Sequence, residues 1–320
     1  MPGSGPVPVG ALEPPTPAAD DRWRLVNALA GQLGSRQEAR WIVDHGGPAQ
    51  AQALADRRLA GEPLQYVLGR WPFRALELSV DRRVLIPRPE TEQVVEVALR
   101  ELARADCHRT GTADGRTGTA DGDEWIEGME ANAGPICVDF GTGSGAIALS
   151  LAIEGGGIRP GLTVWATDVS DDALAVAGAN LEALSHVDAG AAARVRIAPG
   201  SWFDALPDEI LGRVDLVVSN PPYVAESEYP ALDVSVRAWE PKLALVAADS
   251  AAGVGGMAAV EAVIEGAIPW LRRSGAVVIE IAPGQAEAAV EVATRSGFAQ
   301  VGVERDLSGR LRTLVARRTT

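Results

Sequence analysis

Short apolar segments alternate with helical stretches along the second half of the chain, and this alternation limits the possible folds more than any other feature. Helical segments fall between most of the apolar ones, which predicts an α/β fold with a parallel sheet covered on both faces. The last two segments follow each other closely and predict an antiparallel pair at one edge. Seven segments have the length and composition of strands: ICVDF (136–140), TVWAT (163–167), RVRIA (194–198), VDLVVS (214–219), AVVIEI (276–281), AQVGVER (299–305) and RLRTLVAR (310–317).

The first part of the chain has a different pattern. Residues 1–20 are rich in Pro, Gly and Ala, which predicts a disordered tail. Between residues 21 and 70, apolar side chains recur at spacings of three and four, which predicts a small helical domain. Near-alternation of apolar residues over 71–88 predicts a hairpin that links this domain to the α/β domain, residues 89–320.

The heptad RTGTADG occurs twice in succession, at residues 109–115 and 116–122. Its Gly, Thr, Ala and Asp residues have no apolar periodicity and cannot contribute to a core. We therefore expect residues 106–133 to form a flexible surface insert in the α/β domain.

The composition favours a cytoplasmic protein. No apolar run approaches the roughly 18 residues needed to span a bilayer, and the N-terminus lacks the basic start and apolar core of a secretory signal. The two cysteines and three histidines stand in unrelated contexts. They form neither a disulfide framework nor a metal cluster, so we expect no metal.

The formal net charge of the chain is −14. Proteins that bind nucleic acid usually display a concentrated basic face, because phosphate contacts supply most of the affinity. Here many arginines come in scattered pairs instead, so we expect no direct nucleic-acid partner.

A glycine loop follows the first strand of the α/β domain, in ICVDFGTGSGAIALSLA. Gly141, Gly143 and Gly145 allow sharp turns and close approach of a ligand, and the helix that follows offers unpaired amides to a polar or anionic group. The spacing also fits the dinucleotide-binding pattern. A tight turn without a ligand is the structural alternative.

Two later strand ends narrow the interpretation. Asp168 ends the second strand, where an acid can accept hydrogen bonds from ribose hydroxyls. Trp202 follows the third strand and offers a flat face to an adenine, although helix capping and core packing would explain these two residues equally well. Together the strand ends predict a nucleoside site, in which a dinucleotide and S-adenosylmethionine both fit.

The fourth strand ends in Asn-Pro-Pro-Tyr, within VVSNPPYV. The side-chain oxygen of Asn220 and the carbonyl of Pro221 could each accept one N–H of a substrate NH2 group. This arrangement favours the pyramidal transition state of a weakly nucleophilic amide or aromatic amine over its planar ground state. Pro221 and Pro222 stiffen the turn, and Tyr223 can lie on a flat amide or base. The turn therefore indicates methyl transfer to nitrogen. A hydride-transfer enzyme would have no use for such a turn.

These motifs resemble those of the peptide chain release factor glutamine methyltransferases. The turn is shared with adenine-N6 DNA methyltransferases, whereas LIPRPETE and EPKLAL are much more specific. The resemblance implies a seven-stranded, Rossmann-like class I S-adenosylmethionine-dependent methyltransferase domain behind a small helical domain (21–70) that recognises the substrate. The matching segments cover most of residues 21–320 outside the insert: GEPLQYVLGRWPF, VLIPRPETE, VDFGTGSGAIALSLA, TDVSDDAL, SWFDAL, LVVSNPPYV, WEPKLALVAADS and GRLRTLVA.

The resemblance also implies a reaction. S-adenosyl-L-methionine would methylate the side-chain amide nitrogen (N5) of the glutamine in the Gly-Gly-Gln loop of class I release factors, leaving S-adenosyl-L-homocysteine. The loop would hold the methionine part of the cofactor, Asp168 the ribose and Trp202 the adenine. Carried onto this sequence, the cofactor-binding residues are Gly141, Thr142, Gly143, Ser144, Gly145, Asp168, Trp202 and Asn220, and the catalytic, glutamine-binding residues are Asn220, Pro221, Pro222 and Tyr223.

Some features have no assigned role or depart from the family. Arg88, Glu90 and Glu92 match a family signature, and salt bridges at the domain junction would explain them as well as a mechanistic role. Some members have an acid just before the position of Trp202, where it can bind the adenine amino group. This chain has Ser201 there, which could replace that contact only weakly. The segment EIAPGQAE (280–287) matches the family only loosely.

Three other functions fit parts of the sequence. The same chemistry could act on another glutamine, such as one in a ribosomal protein. An adenine-N6 methyltransferase would stack a flipped base on Tyr223 and would need a basic groove for the strand, which the net charge disfavours. A non-catalytic binding module would not require an intact turn and glycine loop. We expect a monomeric enzyme that acts on release factors.

Overall fold

The structure, a computed structural model, describes residues 17–110 and 134–318, which fall into two compact units that divide between Leu68 and Gly69. Most of the predicted tail and insert, residues 1–16 and 111–133, lies outside the described residues. The predicted roles of the helical domain in substrate recognition and of residues 71–88 as a linker stay predictions.

Three helices form the first unit: α1 (Pro17–Leu33), α2 (Arg36–Leu59) and α3 (Leu64–Leu68). Ser35 precedes α2 and its hydroxyl accepts the backbone N–H of Glu38 at 3.2 Å, as an N-cap residue does. The backbone of α2 is kinked at Gly47 (φ 63°, ψ 178°), just before Pro48, because proline cannot continue the hydrogen-bond ladder. The helices enclose a core that includes Val26, Leu29, Ile42, Val43 and Leu54.

A hairpin opens the second unit, with β1 (Arg70–Phe73) paired antiparallel to β2 (Leu76–Ser79). Residues 80–88 contain no strand, so the hairpin is shorter than the predicted segment. The helix that follows, α4 (Pro89–Thr110), continues past residue 106, where the sequence predicted the insert to begin. Pro89 suits the first turn of a helix, where its missing N–H has no partner to lose.

Polar contacts fix the hairpin to the rest of the second unit. Arg74, in the hairpin turn, donates to the Glu154 carboxylate at 2.6 Å and to the carbonyl of Glu92 at 3.0 Å. Buried Asn180 accepts the backbone N–H of Ser79 at 2.7 Å and donates to its carbonyl at 3.1 Å. These bonds give the carbonyl of Glu92 and the N–H and carbonyl of Ser79 hydrogen-bond partners within the protein.

Seven strands form the central sheet, and two more form a small parallel pair. Their bounds are β3 (Ile136–Phe140), β4 (Thr163–Asp168), β5 (Val195–Pro199), β6 (Val214–Ser219), β7 (Val224–Ala225), β8 (Val246–Ala247), β9 (Leu271–Glu280), β10 (Gln300–Arg305) and β11 (Leu311–Arg317). The order in the sheet is β10-β11-β9-β6-β3-β4-β5. The five strands from β9 to β5 in that order run parallel, while β11 is antiparallel to both neighbours. The predicted parallel sheet and antiparallel edge pair are confirmed.

Helices connect most of these strands. They are α5 (Ala146–Ser150), followed by a π-helical turn (Leu151–Gly155) and α6 (Gly156–Ile158), then α7 (Asp171–Val187), α8 (Ala189–Ala192), α9 (Val234–Trp239), α10 (Ala258–Trp270) and α11 (Ala286–Arg295). Alternate residues of β3 point to opposite faces of the sheet. Ile136, Val138 and Phe140 join the apolar side chains of α10 and α11 in one hydrophobic core, so Asp139 faces the other side.

The topology determines where a ligand can bind. The chain leaves β3 for β4 and β5 on one side, and for β6 and β9 on the other. In open α/β sheets, ligands bind beyond the carboxyl ends of the strands at such a switch point. The glycine loop and the Asn-Pro-Pro-Tyr turn follow β3 and β6, the two strands that flank this point. Across the described residues, no helix is long and apolar enough to span a membrane.

Candidate active site

A cavity of about 310 Å³ opens at the carboxyl ends of β3, β4, β5 and β6. The segment before α4 and the segment around residues 241–244 complete its wall, so the LIPRPETE and EPKLAL signatures both belong to the site. Its lining is Arg83, Val84, Leu85, Pro87, Arg88, Thr91, Gly141, Thr142, Gly143, Ser144, Ala146, Ile147, Thr167, Asp168, Val169, Ser170, Ala173, Gly200, Ser201, Trp202, Asn220, Pro222, Pro241, Leu243 and Ala244.

Most of the predicted site residues line this one cavity. Those that do are Gly141, Thr142, Gly143, Ser144, Asp168, Trp202, Asn220 and Pro222, whereas Gly145, Pro221 and Tyr223 do not. The structure therefore brings the glycine loop and the Asn-Pro-Pro-Tyr turn together at one cavity. The remaining residues of each motif lie outside its lining.

The glycine loop turns sharply at each of its glycines. Gly141, Gly143 and Gly145 have φ values of 68°, 56° and 85°, a region that side chains disfavour. A Cβ atom at Gly141 would meet nothing within 4 Å, so this face of the loop is open to a ligand. The N–H of Thr142 donates to the carbonyl of Thr167 at 2.9 Å, which fixes the loop to β4.

A buried carboxyl group that the sequence analysis missed supports the loop from below. Asp139 Oδ2 accepts the Thr142 hydroxyl at 2.7 Å and the N–H of Ala148, in α5, at 3.1 Å. Burial raises the pKa of Asp139 to about 7, and the charge of Asp168 adds to this rise while the two hydrogen bonds oppose it. The sequence feature that could have indicated this role is the single acid within the otherwise apolar strand ICVDF.

Asp168 is tied to the loop as well as to its own strand. Its carboxylate accepts the N–H of Gly143 at 3.0 Å through one oxygen and the N–H of Ser170 at 3.0 Å through the other. Burial raises its pKa, and these backbone hydrogen bonds oppose the rise. Each oxygen keeps a second lone pair, so the carboxylate could still accept two hydroxyls.

The backbone around Trp202 is unusual. Trp202 has φ 46° although it is not a glycine, and such strain is characteristic of functional sites. Gly200 precedes it with φ 149°, where a Cβ would lie 2.7 Å from Cα of Ala205. The indole ring meets Phe140 edge to face, with centroids 6.1 Å apart. The tight turn thus presents the indole to the cavity, beside Ser201.

The Asn-Pro-Pro-Tyr turn is held by two residues that the sequence analysis did not assign. Nδ2 of Asn220 donates to Oγ1 of Thr91 at 3.0 Å, and this hydroxyl donates to Oε2 of Glu280 at 2.7 Å. The hydroxyl of Tyr223 donates to the other Glu280 oxygen at 3.2 Å. Burial raises the pKa of Glu280, and the hydrogen bond from Thr91 opposes this. Burial also raises the pKa of the Tyr223 phenol.

The back of the turn is fixed through its main chain. Nε2 of Gln285 donates to the carbonyl of Tyr223 at 3.0 Å and to that of Gly255 at 2.9 Å. Gly256 has φ 64°, and a Cβ there would overlap the Tyr223 carbonyl oxygen and lie 2.8 Å from the nitrogen of Ala225. The loosely matching EIAPGQAE segment therefore supplies two supports of the turn, Glu280 and Gln285.

The three signature residues without an assigned role make contacts within the second unit. Only Arg88 among them lines the cavity. Arg88 donates to buried Glu240 at 2.5 Å, Glu90 pairs with Arg310 at 3.2 Å, and Glu92 accepts the backbone N–H of Arg74 at 3.2 Å. Within residues 17–110 and 134–318, no group of three or more His, Cys, Asp or Glu side chains could hold a metal ion.

Comparisons with known proteins point to one family. Residues 125–237 match the family model of the methyltransferase small domain. The release factor glutamine methyltransferase of Chlorobaculum tepidum is 36% identical over 286 residues, covering 87% of this chain and 84% of the relative. That of Bordetella pertussis is 37% identical over 288 residues, covering 88% and 89%. The crystal structure of a release factor-specific protein-(glutamine-N5) methyltransferase from Alicyclobacillus acidocaldarius is 23% identical with a TM-score of 0.37, covering 73% of this chain and 95% of that one.

Proposed function

Because this chain belongs to the release factor glutamine methyltransferase family, we propose that it methylates N5 of the glutamine in the Gly-Gly-Gln loop of class I peptide chain release factors. It is a methyltransferase that uses S-adenosylmethionine. The main support for glutamine as the acceptor is that the glycine loop and Asn220 line the same cavity. A methyl donor on the loop and an acceptor NH2 on the turn would therefore meet.

The residues on one side of the cavity fit the cofactor. The open face at Gly141 leaves room for the methionine part, and Asp168 is the carboxylate for the ribose hydroxyls. Trp202 offers its indole to the adenine, with Ile147 among the apolar lining. When bound, S-adenosylmethionine supplies an electrophilic methyl group. The protein contributes the orientation of this group toward the turn, which is the main source of catalysis when no covalent step is needed.

The residues on the other side fit an amide nitrogen. Asn220 Oδ1 would accept one N–H of the substrate glutamine and the Pro221 carbonyl the other, which leaves the nitrogen lone pair directed at the methyl group. After the new N–C bond forms and the bond from the methyl carbon to sulfur breaks, the nitrogen would release one of its two protons to solvent, which gives N5-methylglutamine and S-adenosylhomocysteine. Pro222 limits the motion of the turn. Tyr223 does not line the cavity in this structure, so its proposed stacking on the amide plane would require the bound glutamine to reach beyond the present lining. A side-chain nucleophile or metal has no part in this scheme.

The proposed partner is a class I release factor rather than nucleic acid. The net charge of −14 disfavours binding to a polyphosphate. We assign recognition of the rest of the factor to the helical first unit. We further propose that the enzyme acts in the cytoplasm as a monomer.

The test is methyl transfer from labelled S-adenosylmethionine to a purified class I release factor. The same factor with Gln→Ala in its Gly-Gly-Gln loop, a ribosomal-protein fraction and duplex DNA serve as controls. Label on the unmodified factor alone is the expected result. Label that persists on the Gln→Ala factor, or that appears mainly on DNA or ribosomal proteins, would contradict the proposed acceptor while leaving the methyltransferase assignment intact.

A further inference from the structure

The Asn220 carboxamide can do its proposed task in only one of two orientations. A rotation of 180° about its last side-chain bond exchanges the oxygen and the NH2 group with little change in shape. One orientation offers an acceptor to the NH2 group of a substrate amide. The other offers a donor to a donor, which is repulsive. Something in the protein must therefore distinguish the two ends of this side chain.

The hydrogen-bond chain behind Asn220 makes this distinction. A threonine hydroxyl has one proton to donate, and that of Thr91 is given to Glu280 at 2.7 Å. The hydroxyls of Thr91 and Tyr223 both donate to Glu280, as they must when Glu280 is ionised, because an ionised carboxylate only accepts hydrogen bonds. The oxygen of Thr91 then has only lone pairs left for Asn220, and Nδ2 is the group that can meet it, at 3.0 Å.

We propose that Glu280 is a positioning residue which, through Thr91, holds Oδ1 of Asn220 toward the substrate amide. The inference rests on the proposed function, because it assigns a purpose to the orientation of Asn220. Glu280 does not line the cavity, so it acts on the reaction only through the side chains that it orients.

The fold makes this arrangement rigid. Thr91 lies in the first turn of α4, Glu280 ends β9, and Asn220 follows β6, whose last residue Ser219 is paired with Ile279. Glu280 is 1% exposed, so water does not compete for its oxygens. Arg312, on β11, opposes the rise that burial causes in the Glu280 pKa, while the charge of Glu90 adds to that rise. Burial is the largest of these effects, so the pKa of Glu280 lies above its ordinary value. The polarity of the chain requires the ionised carboxylate, which the Arg312 guanidinium and the hydrogen bonds from Thr91 and Tyr223 favour.

The experiment compares three variants in methyl transfer to the release factor. Thr91→Val removes the hydroxyl and should lower kcat by about 10- to 100-fold, with the KM for the factor and the Kd for S-adenosylmethionine changed less than about threefold. Thr91→Ser keeps the hydroxyl and should restore kcat to within about threefold of wild type. Glu280→Gln should also lower kcat, because its NH2 group can donate to Thr91 and free that hydroxyl to bind Oδ1 of Asn220.

Thr294→Val is the matched control, since Thr294 is exposed on α11 and its hydroxyl donates to the carbonyl of Val290, one turn earlier in the same helix, at 2.8 Å. It should leave kcat unchanged. Wild-type kcat in Thr91→Val would overturn the proposal. Equal loss in Thr91→Val and Thr91→Ser would also overturn it, because side-chain shape rather than the hydroxyl would then matter.

A second readout does not depend on activity. The side-chain NH2 signal of Asn220 in a ¹⁵N spectrum, identified by its absence in Asn220→Asp, should shift and exchange faster with water in Thr91→Val. An unchanged signal would overturn the positioning role. If the wild-type enzyme transfers no methyl group to the factor, the proposed function fails, and this spectrum still decides whether Thr91 orients Asn220.

Discussion

The two halves of the cavity are stabilised in different ways. On the cofactor side, Asp139 and Asp168 bond to the glycine loop through partners 3 to 25 residues away in sequence, most of them backbone N–H groups. On the acceptor side, Asn220 depends on a hydroxyl 129 residues away, which itself depends on a carboxylate 189 residues further along the chain. The cofactor side is thus determined largely by local sequence, and the acceptor side by tertiary structure.

The largest expected effect is on the acceptor side, from Asn220→Ala. Loss of one preorganised group that acts in the transition state typically lowers kcat by about 100- to 1,000-fold. We expect this loss in methyl transfer at saturating factor, with an unfolding midpoint close to that of wild type. Substantial surviving activity would show that the turn does not hold the acceptor, and the functional difference between the two halves would disappear.

The cofactor side should respond in affinity rather than rate. Asp168→Ala removes a carboxylate that is expected to bind ribose hydroxyls and that accepts the N–H of Gly143. Hydrogen bonds to charged groups contribute about 1.5–3 kcal/mol, so the Kd for S-adenosylmethionine should rise about 10- to 100-fold. Calorimetry with S-adenosylmethionine or S-adenosylhomocysteine measures this. A large fall in kcat at saturating cofactor, with unchanged Kd, would reverse the assignment of the two sides.

Gly256→Ala tests whether the acceptor turn depends on its remote supports. The added methyl group would overlap the Tyr223 carbonyl, so the turn must move. Gly253→Ala is the matched control, since Gly253 also has positive φ (79°) but open space at its Cβ position. We expect about tenfold lower kcat in Gly256→Ala only, as a displacement of about 1 Å at an active site can cost this much or more. Equal kcat in the two variants would mean that the turn holds its shape by itself.

The same difference explains what could be predicted from the sequence. The strands, their order of appearance, the glycine loop and Asp168 follow from local patterns, because strand ends of a parallel sheet meet at one edge. The roles of Thr91 and Glu280 could not be predicted. Thr91 stands between two acids and Glu280 stands in an apolar strand, and neither context indicates a function. Their roles arise only when α4, β6 and β9 pack together. The shorter hairpin has a similar cause, because apolar alternation at Val80, Val84 and Ile86 reflects burial of these side chains in an irregular segment rather than strand pairing.

The smallest expected effect on the reaction comes from Asp139→Asn, because Asp139 supports the cofactor side from within the core and does not line the cavity. Its pKa is about 7 in the folded protein and near 3.8 when unperturbed, so between these values the folded state keeps a proton that the unfolded state has lost. The free energy of unfolding should therefore fall as pH rises from about 4 to 7, by at most about 1.4 kcal/mol per pH unit from this group. In Asp139→Asn, which cannot ionise, this contribution should be absent. Urea unfolding of both proteins at pH 5, 6, 7 and 8 measures the difference, and parallel pH profiles would mean that Asp139 is ionised throughout.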